Sequence, residues 1–555
     1  MMHISRRNFL RFAAGLGLSS AGAMILEKLA LTQAWAQTQT DYKALVCVFK
    51  AGGNDGNQVV IPLSGANANF GAADVTGGYP AYFNERNLNG AGLVTTASGT
   101  VAPPSPTGTV PTGNLWPISA GANNPNLGWF GMNYYLGTTF NATTGSVTIP
   151  IPSLAALYSS GQAAVVCNVG SLAQPFTKAL YQANPTARPD QLFSHADQVR
   201  ENQTCIFHLN APAGVPNGTG WAGRTVDKYN PNGTSTFPMQ VSISGAPQFM
   251  SGTGSSSYPI AINPAPTALN QVLLLNGFGT ATDEVGRRTA FDQLRAVNVG
   301  ANTLIDANSS VMNDAINAIS ALSIDPQLTV PDPSNPTNKV ALAFPNTTLG
   351  NQLKQVAKLI KANLQQSVLG LKRQIFFCQL GGFDTHQYEV RDEPGLLQQV
   401  NQGIATFYYW LQNNVPTAGT TEPTLGDLTS KVTTFTLSDF SRTFNPSASG
   451  AICGTDHAWG NNWLVAGGAV NGGQLYGVPL PGGNGEVFVT LGKGTNNAYD
   501  VDNSNGRGRF IPSVSTLQYA NTLAAWFGLP QDNATLDYVF PLLRTNFAAT
   551  NLGFV

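Results

Sequence analysis

Three short acidic motifs each follow an apolar run of β character: Asp55 in AGGNDGN after LVCVF, Asp384 in GGFDTH after QIFFCQL, and Asp439 in LSDFSRTF after VTTFTL. If the runs are parallel strands of one sheet, the three carboxylates meet at its carboxyl edge, where open α/β sheets bind ligands. His386 in GGFDTH and His457 in GTDHAWGNN add imidazoles. Carboxylates and imidazoles gathered in one crevice are raw material for a divalent-metal site.

Each motif also has a plainer reading. The glycines of Gly52-Gly53-Asn54-Asp55-Gly56 let the chain turn so that Asp55 projects into the crevice, or Asp55 closes an Asx turn. Gly381-Gly382-Phe383-Asp384-Thr385-His386 repeats the strand, Gly-Gly, Asp construction. Arg442 carries a forked guanidinium that clamps a phosphate or sulfate oxyanion, or only neutralises Asp439. In Asp456-His457 one residue can ligate while the other orients it. Ser194, at the start of a helical run in LFSHADQ, is a helix N-cap or a nucleophile served by the helix dipole, with His195 as base or substrate-binding group.

The elements that must position these groups alternate. Strand-like runs lie at Ala44 to Phe49, Ala163 to Val169, Gln374 to Leu380 and Thr433 to Leu437. Helical patterns lie at Ser153 to Ser160, at Leu349 to Leu371, and within 271–325, where Met312, Ile316 and Ile319 recur on one face. This predicts an α/β fold, helices covering a mostly parallel sheet. Residues 85–150 and 210–270, dense in Gly, Pro, Asn and Thr, read as surface insertions of loops or short β excursions. Asp55 near the start and Asp384 to His457 near the end must meet, which argues for one large domain over 37–555.

Residues 1–36 read as an export signal. Arg6-Arg7 precede a modestly apolar run, and Ala34-Trp35-Ala36 supplies a small-x-small cleavage pattern. The pattern reads as a twin-arginine signal, which predicts a periplasmic or secreted protein carried by the twin-arginine export machinery. Cleavage after Ala36 removes four basic residues and one acidic residue from totals of 28 and 29, leaving 24 against 28. That balance, with 10% charged residues, argues against a nucleic-acid-binding face. No later segment is long and apolar enough for a stable membrane span. Five cysteines without CxxC spacing argue against a zinc-cysteine site. Cys47, Cys167 and Cys378 lie in strand-like runs, and Cys205 with Cys453 form a candidate disulfide.

Taken in order, SRRNFL, GGNDGN, LYSSGQAAVVCNVGSLAQP, FSHADQ, GWAGR, GGFDTH, TLSDFSRTF, GTDHAWGNN and GAVNGGQLYG resemble the exported bacterial family catalogued as domain of unknown function 1501. That family in turn resembles the alkaline phosphatase and sulfatase superfamily. The resemblance implies a three-layer α/β/α sandwich with metals held at the carboxyl ends of the strands. It implies Asp55 and Asp439 at one metal, Asp384, His386 and His457 at the other, and Ser194 as nucleophile. The sequence departs from the superfamily pattern: Asp384 and His386 are two apart instead of four, Asp439-Phe440 replaces an Asp-His doublet, and the Cys/Ser-x-Pro-x-Arg signature is missing.

The leading expectation is an exported hydrolase of phosphate or sulfate esters. One or two divalent ions (Mg, Ca, Mn or Zn) are held by Asp55, Asp384, His386, Asp439, Asp456 and His457, while Asn54 and Arg442 hold the anion. The carboxylate-rich set leans toward Mg²⁺, Ca²⁺ or Mn²⁺ over a closed zinc site. The alternative is a non-catalytic envelope or secreted protein that keeps the fold for binding or assembly.

Overall fold

The computed structural model describes residues 41–64, 115–119, 129–208, 211–271, 282–296 and 324–555, apart from short stretches within these spans, together with a few single positions such as Tyr82, Glu85 and Arg86. The expected export signal over 1–36 and the expected Met312, Ile316, Ile319 face lie outside the described residues.

Residues Ala44 to Phe49 are all fully buried, because alternate side chains serve two different cores. Ala44, Val46 and Val48 face one core, and Leu45, Cys47 and Phe49 face the other. A strand apolar on both faces belongs in the middle of a covered sheet, and Lys43–Lys50 is flanked there by parallel neighbours Arg373–Leu380 and Val432–Ser438. Among the described residues the sheet has nine strands. Eight of them run in the order Leu475–Tyr476, Ala163–Gly170, Asn461–Ala466, Val432–Ser438, Lys43–Lys50, Arg373–Leu380, Gln240–Ser242, Ile260–Ala261, and Val514–Ser515 pairs with Ala163–Gly170.

The sheet is mixed. Asn461–Ala466 runs antiparallel to both its neighbours, and every other pairing is parallel. This reversal decides where His457 lies. A strand running the other way begins at the edge where its neighbours end, so the loop before Asn461 is delivered to the carboxyl edge.

Helices cover both faces. Thr348–Gln365 places Leu349, Leu353, Val356, Ile360 and Leu364 against the first core at helical spacing, beside Glu389–Asn413. Trp221–Lys228 and Thr516–Phe527 pack on the second, the latter started by a capping box between Ser515 and Gln518.

Two expectations need correction. Residues 210–270 are not peripheral: they supply the fully buried Trp221 and the edge strands Gln240–Ser242 and Ile260–Ala261, since a few apolar anchors suffice to pull a Gly- and Pro-rich stretch into the core. Within 85–150, Leu115–Ser119 and Trp129–Asn133 are short β excursions that pair with Val60–Ser64, and only the expectation that they stay out of the core is corrected, since they bury Phe130 and Met132. Nor is there a Cys205–Cys453 disulfide. All five cysteines are free and buried, and the Cys453 thiol donates to the Ala448 carbonyl.

Candidate functional site

Lys50 lies level with both Leu380 and Ser438, so the three acidic loops leave the sheet together. They touch through Gly52, whose N–H donates to Asp439 Oδ1 at 3.1 Å. A Cβ at Gly52 would come within 2.4 Å of the Asp384 backbone nitrogen, and its φ of +113° suits only glycine. The first Gly of the motif therefore serves close approach of two loops. The helix His195–Thr204 starts at the same edge, tied down by Asn202 Nδ2, which donates to the carbonyls of Ser438 (3.1 Å) and Asp439 (2.7 Å).

Four ligand-type atoms converge there. The Nε2 atoms of His386, His457 and His195 lie 3.2, 3.3 and 3.4 Å from Asp384 Oδ1, and His386 Nε2 is 2.8 Å from His457 Nε2. Behind each ring, Nδ1 faces an acceptor. His457 Nδ1 donates to the Phe193 carbonyl at 2.7 Å, His195 Nδ1 to Asp439 Oδ2 at 2.8 Å, and His386 Nδ1 to Asp456 Oδ1 at 3.1 Å. The proton of each neutral ring is thereby assigned to Nδ1, leaving the Nε2 lone pairs to face one another. His195 Nε2 is buried and makes no hydrogen bond, and the 2.8 Å pair of imidazole nitrogens requires a proton or cation between them. Metal-binding histidines are oriented in this way, with the far nitrogen held by a carboxylate or carbonyl. In a tetrahedral site with bonds near 2.0–2.1 Å, ligand atoms sit about 3.3 Å apart, the separation found around Asp384 Oδ1. His195, Asp384 and His457 each place one ligand atom within 4.8 Å of the others, with His386 Nε2 beside them at 2.8 Å from His457 Nε2, so the three form a candidate metal-holding group that His386 adjoins.

The electrostatics separate the three histidines. Hydrogen bonding to Asp439 raises the His195 pKa against the lowering effect of burial. Burial lowers the His457 pKa, with the Arg442, His195 and His386 charges acting in the same sense against its bond to the Phe193 carbonyl. Asp384 is held below its ordinary range: burial pushes it up, but the charges of Arg442, His386 and His195 outweigh that. Phe440 packs against the rings of His195 and His457, with centroids 4.8 and 4.4 Å away. Asp384 (46% exposed) and His386 (43%) open to solvent, while His457 (19%) is the more enclosed side.

The other sequence candidates take different positions. Asp439 and Asp456 stand behind His195 and His386 and orient them, and Asp456 also pairs with Arg507 at 2.6 Å. Arg442 is fully buried and holds Asp384 instead of neutralising Asp439: Nη2 donates to Asp384 Oδ1 at 2.6 Å, and the other bonds go to the Phe383 and Thr455 carbonyls. Asn54 is buried, its N–H donating to Ser438 Oγ and its carbonyl and side-chain oxygens accepting from Asn461 Nδ2. Ser194 is the N-cap of His195–Thr204, yet its side chain makes no capping bond.

Asp55 joins a second group. Its carboxylate caps the turn at Asn57 and binds Arg86, which also reaches Glu389 at 3.2 Å and the carbonyls of Thr443 and Phe444. Glu393 accepts from the Asp55 N–H, so three buried carboxylates crowd together around one guanidinium. Burial, then the Asp55 charge, pushes Glu389 up to about 7, and burial with the charges of Glu389 and Asp55 raises Glu393. Burial pulls Lys50 down to about 7 despite the Glu393 charge. Glu389 Oε2 accepts from Thr455 Oγ1, beside the loop that carries Asp456 and His457. Arg86 has already claimed this group, which sets Asp55 apart from the histidines.

A family model described as a protein of unknown function (DUF1501) matches residues 364–479. The span includes Asp384, His386, Asp439, Arg442, Asp456 and His457 and excludes His195. No curated protein and no solved structure matches the chain.

Proposed function

We propose that the chain is a metal-dependent hydrolase of phosphate or sulfate esters, exported from the cytoplasm, with a single ion held by His195, His386, His457 and Asp384. One observation carries this reading: three imidazoles have their Nδ1 atoms facing acceptors, and their Nε2 atoms converge on one carboxylate oxygen, one of them without any hydrogen-bond partner. The resemblance of the motif series to the family catalogued as domain of unknown function 1501, which in turn resembles the alkaline phosphatase and sulfatase superfamily with its three-layer sandwich, supports the same reading. The engagement of Asp55 by Arg86 favours one ion over two.

Three imidazoles with one carboxylate favour Zn²⁺ or another late first-row ion over Mg²⁺ or Ca²⁺. An ion held there supplies a Lewis acid and a means of ionising water near neutral pH. The chain's own groups do the rest. Arg442 keeps Asp384 ionised, and Asp439, Asp456 and the Phe193 carbonyl fix the imidazole tautomers. Arg507, more than half exposed at the rim, offers positive charge to the incoming anion. In the reaction a water or Ser194 oxygen bonds to phosphorus or sulfur, the ester bond breaks, and the departing alcohol takes a proton. A serine ester formed by the second route is then hydrolysed by water.

The test is a screen of metal-loaded protein against phosphate mono- and diesters and sulfate esters. Turnover is expected with Zn²⁺, Mn²⁺ or Co²⁺ and is expected to be lost in His457→Ala. Ser194→Ala separates the nucleophiles, since loss of activity with metal retained identifies a covalent serine step. Metal-loaded protein inert to every ester class would overturn the catalytic reading in favour of a binding or structural role.

A further inference from the structure

Among the described residues, six large hydrophobic side chains are exposed, and three of these come from two adjoining segments: Tyr388 (37%), Val390 (45%) and Ile452 (51%). The segments are joined backbone to backbone. Tyr388 N–H donates to the Ile452 carbonyl at 3.3 Å, and Glu389 N–H to the Cys453 carbonyl at 3.0 Å. Both lead directly into the histidine group. His386 stands two residues before Tyr388, and Asp456, which orients His386, stands four residues after Ile452. Single exposed hydrophobics are ordinary on a protein surface, whereas a contiguous group marks a place where something binds.

Local structure presents the patch and holds it in place. Tyr388 has a left-handed backbone, φ +58°, which a bulky residue adopts rarely. That turn sends Glu389 inward to Thr455 and Arg86 while Tyr388 stays at the surface. The Arg391 guanidinium lies 4.4 Å from the centre of the Tyr388 ring and is itself held by Asp392 at 2.6 and 2.8 Å, so the ring is braced from its own helix. Along the chain Tyr388 and Val390 of the patch follow His386 and Asp384 by two to six residues, and these two are the solvent-open members of the cluster.

We infer that Tyr388, Val390 and Ile452 form a specificity wall that receives the apolar alcohol portion, aryl or alkyl, of the ester substrate; this rests on the hydrolase reading of the adjoining cluster. Isothermal titration of the full chain loaded with Zn²⁺, using phenylphosphonate and methylphosphonate as non-hydrolysable probes, tests it. The wild type is expected to bind the phenyl compound about tenfold more tightly, the scale for partly burying one ring. In Tyr388→Asn with Ile452→Ser that preference is expected to shrink to about twofold or less, with Zn²⁺ content unchanged. Asparagine accepts the left-handed backbone, so the variant keeps the turn. Equal wild-type affinity for the two phosphonates, or an undiminished preference in the folded double variant, would overturn the inference while leaving the hydrolase reading intact. Failure of the wild type to bind either phosphonate would overturn both. Adsorption of the wild type to neutral phosphatidylcholine vesicles, lost in the double variant and with no phosphonate preference, would assign the patch to a lipid surface instead.

Discussion

Asp439→Asn isolates the second layer of the proposed centre. Asp439 is nearly inaccessible and accepts from His195 Nδ1 at 2.8 Å and from Gly52 N–H at 3.1 Å. Asparagine fills the same volume but offers one acceptor and one donor. If its oxygen keeps His195, its NH₂ opposes the Gly52 N–H. If it keeps Gly52, its NH₂ faces His195 Nδ1, forces the proton to Nε2 and removes the lone pair aimed at the ion. Loss of such an outer partner weakens metal binding by about 10- to 100-fold, or roughly 1.4–2.7 kcal/mol. A chelator-competition titration with Zn²⁺ or Co²⁺ at pH 7.5 reads this directly. Metal-free protein gives a second readout with a definite sign. The bond to Asp439 raises the folded-state pKa of His195 above its ordinary 6.5, so its stabilising contribution is complete below about 6.5 and fades as pH rises through the raised value. Asp439→Asn should therefore lose more urea resistance at pH 5.5 than at pH 8.5. A metal affinity within about twofold of wild type, which is well below the outer-partner effect, or equal losses at the two pH values, would refute the orienting role.

Three other outcomes follow from particular contacts. Gly52→Ala places a Cβ 2.4 Å from the Asp384 nitrogen on a backbone with φ +113° and is expected to cost more than about 2 kcal/mol in urea unfolding, with loss of bound metal; a near-neutral effect would show that the loops do not pack as described. Glu389 has a folded-state pKa raised to about 7, so the folded chain binds an extra proton between the ordinary 4.5 and about 7, and its contribution to stability declines as pH rises through that window; Glu389→Gln should shrink the decline between pH 5 and pH 8, and an unchanged decline would count against the crowded carboxylates. Under denaturing, non-reducing conditions the protein purified from its own host should titrate five free thiols, and a count of three would restore a disulfide.

The central strands were legible because nothing competes with the reading of a short Val-, Ile- and Phe-rich run that ends in Gly or Ser, as at Ala44 to Phe49 and Gln374 to Leu380. The convergence of Asp384, Asp439 and His457 followed from placing loops at the ends of such strands. The role of His195 was hidden, since FSHADQ is also a sound helix start, and only the fold shows that this helix begins beside Asp439. Asp55 misled for the opposite reason: its motif mirrors that of Asp384, but Arg86, in a Gly- and Asn-rich stretch, binds it instead. Glu389 and Glu393 lie one turn apart in the charged start EVRDE of their helix, and their burial depends on partners hundreds of residues away. Trp221 likewise anchors a segment whose composition resembles a surface loop.

Elemental analysis of the protein produced by its own host and purified without chelators tests the proposed centre most directly. Wild type is expected to carry about one late first-row ion per chain, Zn²⁺ foremost, and both His457→Ala and His195→Ala are expected to fall to about a tenth of that or less while remaining folded, since each removes a direct ligand. A folded wild-type protein that carries no such ion and takes none up from Zn²⁺-containing buffer would contradict the assignment of His195, His386, His457 and Asp384 as a metal centre.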